Sequence, residues 1–396
     1  LASAPTIKCF GAGDVLLVTD IPPVENLVLG RVNLTPAIQL CRIEVASWKS
    51  LSAVAEDGSE IPFQFVPDVD FHPQNHFTGL VIMKLPEKSS GRARLRFSKE
   101  PSVSESSWNG VVHTPFVRTR HDAKSEAGFP VEFQLVKEGK NIRVTRWADL
   151  VHDPQLGSFP LSVDPNATVE RLGDGPLCTV VRVHAKYTSP SGKEPPGRPS
   201  SVYDWVYLHD EPVAYVRSQS VQEEIYPWSE HHFLELQFHQ QMMPKWFGGD
   251  PQKDGDFGQS ANSFPCADWA FITNGRVAMG MFNAGQVLVY DAPGEDGNYI
   301  QARGNQAWRP WTSQVLEKDA FLWFGAGEDL VGRMGTLVRS IKPPVRIVVT
   351  TSEIDQQRER IEKKLAGQES HERQETWWQM AIRELERQGR LNEALE

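Results

Sequence analysis

Between residue 111 and about residue 345 the sequence sets about ten strand-like runs one after another, with no convincing amphipathic helix among them. "VEFQLVKEG", "CTVVRVHAKYTS", "SVYDWVYLHD", "VAYVRSQSVQEE", "HFLELQFHQ", "VAMGMFNAG" and "AFLWFGAG" are typical. Runs of this kind, rich in Val, Tyr, Phe and Trp and separated by Gly, Pro, Asn and Asp, form antiparallel strands. They are too many for a small barrel and suit a large two-sheet sandwich.

The flanks read differently. Residues 1–101 hold shorter runs such as "DVLLVTDI", "IPFQFVPDV" and "LVIMKL", and predict a small N-terminal β-sandwich. A Ser-rich connector, "SVSESSWNG", separates it from a large domain over 111–345. From Ser352 a Ser-x-x-Asp capping signal opens a region with Trp377, Trp378, Ala381, Ile382 and Leu385 at helical spacing. Residues 352–396 are therefore expected to be helical, and to dock on the sandwich, a second subunit or a further domain.

Of 396 residues 40% are hydrophobic, enough for a sizeable core. The net charge of −10, with no basic stripe, argues against nucleic acid as a partner. No apolar run approaches the roughly 20 residues of a membrane helix. The four cysteines, Cys9, Cys41, Cys178 and Cys266, form no Cys-x-x-Cys pair. Buried free thiols are expected, with a Cys9–Cys41 bridge the alternative in an oxidising compartment. The opening Leu1-Ala2-Ser3-Ala4-Pro5 reads as the stub of an Ala-x-Ala cleavage site, which leans towards a secreted or periplasmic protein.

The segments "LGDGPLCTVVRVHAKYTS", "SVYDWVYLHDEPVAYVRSQSV" and "PWSEHHFLELQF" run Gly-Pro, strand, Tyr/Trp-rich strand, acidic turn, strand, then Trp-Ser-Glu and an apolar strand. This pattern resembles the galactose-mutarotase-like super-β-sandwich of carbohydrate-active enzymes. The resemblance covers most of residues 1–345. It implies a small β-sandwich followed by a large antiparallel super-β-sandwich, so that with the helical spacing of the C-terminal segment the chain is expected to be mainly β with C-terminal α-helices. It also implies a polysaccharide or oligosaccharide as ligand.

"PWSEHHFLELQFHQQ" places Glu230, His231, His232, Glu235 and His239 close together. Read as a regular strand, it puts His232, Leu234, Leu236 and Phe238 on one face and His231, Phe233, Glu235, Gln237 and His239 on the other. Same-face neighbours lie roughly 6.6–6.8 Å apart. That is too far for one strand to gather a zinc ion with bonds of about 2.0–2.1 Å, so no metal is expected. A saccharide groove suits the row better. His231, His239 and Glu235 are the candidate acids and bases, with Tyr203 and Arg217 on neighbouring strands. Arg217 would meet a uronate carboxylate. Phe233, Gln237, Trp205, Tyr215, Trp246 and Trp308 are candidate sugar contacts, with Trp246 and Trp308 placed in polar, Gly-rich loops. The rival reading makes the row the solvated face of a sandwich and His232 a satisfied core histidine.

No Gly-x-Ser-x-Gly elbow, phosphate-binding loop, His-Glu-x-x-His or dinucleotide fingerprint occurs. No cofactor is expected. The leading expectation is a polysaccharide lyase that removes the proton beside a uronate carboxylate. The alternatives are a glycoside hydrolase, and a non-catalytic sugar-binding or structural module of a larger enzyme.

Overall fold

The computed structural model describes residues 14–18, 27–40, 47–55, 57–86, 92–97, 108–249, 252–302 and 310–350. The expected C-terminal helices, Trp308, Cys9 and Cys41 lie outside them. The chain divides into two compact units: Leu1–Ser104 with Pro344–Glu396, and Glu105–Pro343.

The first unit has a five-stranded sheet in the order Val348–Thr350, Asp14–Val18, Arg92–Phe97, Leu51–Val54, Glu60–Ile61. A four-stranded sheet runs Val345–Arg346, Leu27–Asn33, Thr78–Lys84, Phe63–Pro67. One apolar core, with Val28, Val32, Phe65, Phe77, Val81, Met83 and Leu95 among its members, is shared between strands of both sheets. In "ARLRFS" every second side chain, Ala93 and Leu95, faces inward, whereas "LVIMKL" is a continuous apolar run buried from Leu80 to Met83. Strands from residues 345–350 complete an edge of each sheet.

The second unit is built on a twelve-stranded sheet. Its main path runs Arg146–Trp147, Glu235–Phe238, Asn298–Ala302, Val277–Asp291, Val315–Ala326, Val213–Val221, Ser200–Leu208, Cys178–Lys186, Thr168–Asp174. Every pairing in it is antiparallel. Two smaller sheets accompany it. One holds Val111–His113, Val117–Arg120, Glu132–Leu135 and Lys140–Arg143; the other holds Leu150–Asp153, Gly157–Pro160 and Glu230–His231. Tyr203, Trp205 and Tyr207 point from the large sheet into the core, where they meet Phe129, Trp147, Phe233 and Phe324. Cys178 and Cys266 are buried, and burial pushes the Cys266 thiol up to about 11.

Two sequence expectations need correction. The stretch from Lys245, expected as a long polar loop, contains the strands Lys245–Gly249 and Lys253–Asp256 and the start of Asn262–Thr273. Its glycines serve close packing rather than a loop. A Cβ on Gly248 would overlap Cys266, and one on Gly249 would crowd Trp269. In addition, "LVGRMGTLVRS" forms a helix, Leu330–Ser340, capped by the Asp329 side chain. Leu330, Met334 and Leu337 bury its apolar face at helical spacing. Gly332 and Gly335 weaken its intrinsic propensity and hide it from a sequence reading. No helix of the described residues is long and apolar enough to cross a membrane.

Candidate functional site

The histidine-rich stretch is not one regular strand. It forms Glu230–His231, a break over 232–234, and then Glu235–Phe238. Leu234 has a φ of 49°, in the left-handed region that a leucine adopts only when its surroundings impose it. Asp149 imposes it. Its carboxylate accepts the backbone N–H groups of Leu234 and Glu235, both at 2.8 Å, and the Tyr203 hydroxyl at 2.5 Å. Burial pushes Asp149 up to about 6 against these hydrogen bonds, so it is ionised at neutral pH.

The break gives the residues different surroundings. His231 turns inward. Its Nε2 lies 2.9 Å from the Tyr187 hydroxyl and 3.2 Å from Ser220 Oγ, and its ring meets Trp311 edge-on. Tyr187 also bonds Ser201, which bonds Ser220. Lys318 donates to the His231 carbonyl at 3.4 Å. Burial, then the charges of Lys318 and His232, hold the His231 imidazole well below its ordinary range, so it is neutral. Burial raises the Tyr187 and Tyr203 hydroxyls, and neither is a phenolate base near neutral pH.

His232, a satisfied core histidine in the rival reading, is buried and links two carboxylates. Its Nδ1 lies 2.6 Å from Glu235 and its Nε2 3.0 Å from Glu230. Burial opposes its charge, but the hydrogen bonds and charges of Glu230 and Glu235 carry it to about 9. With both ring nitrogens donating, His232 is an imidazolium that offers no lone pair to a metal or a substrate proton. Among the described residues no group of three His, Cys, Asp or Glu side chains is placed to hold a metal ion. The imidazole also fills the space between Glu230 and Glu235 that a scissile bond would need.

This ion triad makes stability pH-dependent in a defined direction. A histidine raised from 6.5 to about 9 contributes stability that is complete below pH 6.5 and lost as pH rises through 9. The effect is about 2 kcal/mol once solvent at the Glu230 end is allowed for. Urea unfolding of the wild type and of His232→Gln at both ends of that window should show a gap that closes with rising pH. A gap that stays constant would remove the charge from His232.

The remaining candidates are not brought together. His239 lies 3.6 Å from Glu295 and 3.5 Å from Asp296, outside the hydroxyl cluster around His231. Phe233 is buried and stacks on Tyr203, and Trp205 is buried in the core. Gln237 donates weakly to Glu235 at 3.4 Å. Trp246 is a buried strand residue stacked on Phe264, not a loop platform. Tyr215 and Arg217 face away from Tyr203 and Trp205. The register pairs Tyr203 with Ser218 and Asp204 with Arg217, so odd positions of the two strands take opposite faces. There Arg217 is bound to Asp204, and Tyr215 donates to Asp319. The expected groove joining His231, Glu235, His239, Tyr203 and Arg217 is therefore absent from this arrangement. Asp149, Tyr187, Ser201, Ser220 and Lys318 escaped the sequence reading, because only the fold gathers them. For His232 the Glu-x-His-x-x-Glu spacing was the available signal.

His121 is another buried histidine, bonded to Gly128 O and the Tyr207 hydroxyl. Burial lowers it to about 3, which makes it a neutral core residue.

No protein-family model matches the sequence, and no curated protein is similar to it. Among solved structures, an α-mannosidase from Enterococcus faecalis V583 is similar over 86% of this chain and 46% of its own, with a TM-score of 0.51 and 9% identity. A protein in glycosyl hydrolase family 38 from Enterococcus faecalis is similar over 86% of this chain and 47% of its own, with a TM-score of 0.52 and 9% identity. The chain thus spans about half the length of each. At this identity the likeness is one of fold: the chain shares a β-sandwich architecture with these two chains, as the sequence resemblance implied.

Proposed function

We propose that this chain is the β-sandwich module of a carbohydrate-active enzyme of glycoside-hydrolase type, and that the module itself is non-catalytic. The observation that carries this reading is the state of the nominated acids and bases. His231, Glu235 and Tyr203 are buried and hydrogen-bonded to their neighbours, and the half-buried His239 stands apart from them beside Glu295 and Asp296. A general base must reach the proton it takes, and a lyase also needs a cation beside the developing charge. Arg217 lies on the far face, bound to Asp204. The fold likeness to glycoside-hydrolase chains, over only half of their length, agrees with a module role.

The test is a turnover screen of the full chain against aryl glycosides and a polysaccharide panel. It is read by reducing ends and by the ultraviolet absorbance of unsaturated products. No turnover is expected. Turnover that falls roughly 10²-fold or more in His231→Ala or Glu235→Gln, the weight of a general acid or base, would overturn the reading and restore the sequence-derived site.

A further inference from the structure

The geometry points to a saccharide-binding cleft at the end of the large sandwich remote from the His232 triad. This rests on the carbohydrate reading above and adds a site to it. The cleft has a volume of about 520 Å³, within the roughly 300–1,000 Å³ usual for small-ligand sites. The His231 cluster sits near Ser201, at the start of Ser200–Leu208, whereas Glu211 and Pro212 of the cleft follow the end of that strand. At about 3.3 Å per residue the two sites are roughly 20 Å or more apart.

Loops from different parts of the fold converge on the cleft. Phe116 comes from the turn after Val111–His113, Lys137 and Glu138 from the turn after Glu132–Leu135, and Glu211 and Pro212 from the turn after Ser200–Leu208. Arg333 and Thr336 come from the helix Leu330–Ser340. Loop clusters at the end of a rigid sandwich are where binding residues gather. The walls are held in place. Pro212 O accepts from Phe324 N at 2.9 Å, Phe116 O accepts from Val136 N at 2.9 Å, and Phe324 stacks on Phe133.

The chemistry selects the occupant. The floor is apolar, with Leu135, Trp323, Phe324 and Leu337. The rim carries both signs: Lys137 and Arg333 against Glu138 and Glu211. Lys137 Nζ rests 4.9 Å from the centre of the Phe116 ring, and Arg333 donates one bond to Ala326 O at 2.6 Å. Glu211 is half-buried and makes no side-chain hydrogen bond within the described residues; burial, with the charge of Asp210 beside it, raises it above its ordinary range. An anion would meet Glu211 and Glu138, and a cation would meet Lys137 and Arg333. A purely apolar segment would bury these charges without partners. A neutral sugar meets each need, because its hydroxyls donate to carboxylates and accept from Lys and Arg while its C–H face lies on the apolar floor.

Isothermal titration of the full chain with α-mannotriose, and with maltotriose as a second neutral probe, tests the assignment. Binding by at least one probe is expected. Glu211→Gln and Lys137→Met should each weaken it about tenfold, the weight of one hydrogen bond to a charged group, with unfolding midpoints unchanged. Absence of binding to either probe would overturn the cleft as a saccharide site. So would binding that both variants leave intact, or tighter binding of an oligouronate. None of these results touches the module reading, which stands or falls on the turnover screen.

Discussion

Asp204→Ala is expected to destabilise the large sandwich by about 3–5 kcal/mol, as loss of one partner from a buried ion cluster does. Asp204 is buried between two guanidinium groups. Arg182 reaches it at 2.6 and 2.8 Å, and Arg217 at 2.9 and 2.8 Å. Their positions form part of a cross-strand row of alternating sign, Glu170, Arg182, Asp204, Arg217 and Asp319, directly opposite one another in register. Burial works against the Asp204 charge, but Arg217 and Arg182 hold the carboxyl below its ordinary range. Its contribution is therefore present above the unfolded pKa and lost as pH falls through the folded value. Alanine leaves both guanidinium groups without this carboxylate. Replacing all three by apolar residues of similar volume should cost much less, because it removes the desolvated charges together. Urea unfolding followed by circular dichroism measures both. A loss below about 1 kcal/mol for Asp204→Ala would mean that the row contributes nothing through its charges.

The strands were legible because period-2 patterning reports directly on which side chains a sheet buries, and "SVYDWVYLHD" places Tyr203, Trp205 and Tyr207 on the core face. The relative facing of two strands is not carried by either one. Tyr215 and Arg217 looked like companions of Tyr203 and Trp205, yet the connection from Leu208 to Val213 sets a register that turns them away. The break at Leu234 was equally hidden, since the carboxylate that imposes it lies 85 residues earlier in the chain. Local rules read 231–239 as a strand with four polar residues in line. A single long-range partner divides that line between two environments.

That division also explains how a stretch so rich in His and Glu comes to lie inside a fold without forming an open catalytic row. Each charge is answered within the protein. Glu230 and Glu235 enclose His232, Tyr187 and Ser220 satisfy one nitrogen of His231, and Asp149 holds the backbone between them. The cleft beyond Leu208 differs in this respect, because Glu211 faces it with no partner of its own among the described residues. Unanswered polar groups around an apolar floor are what a ligand can complete.

Asp149→Ala should cost about 4 kcal/mol, comparable to the loss at Asp204. Three buried donors lose their acceptor at once: the N–H groups of Leu234 and Glu235 and the Tyr203 hydroxyl. A buried donor left unsatisfied costs roughly 1–3 kcal/mol, and partial relaxation of the break recovers some of the sum. The left-handed Leu234 also loses what holds it, so its amide and that of Glu235 should exchange with solvent much faster in the variant. The pH dependence runs opposite to that of Asp204. A carboxyl raised to about 6 binds its proton more tightly in the folded protein, so its contribution falls as pH rises from about 4 to 6. Asp149→Asn keeps one acceptor oxygen but turns an amide N–H₂ towards donors, and should fall between wild type and Asp149→Ala while abolishing that slope. Urea midpoints at both ends of this window, read beside amide exchange at Leu234 and Glu235, separate the two effects. Unchanged exchange at these amides in Asp149→Ala would show that the break stands without the carboxylate.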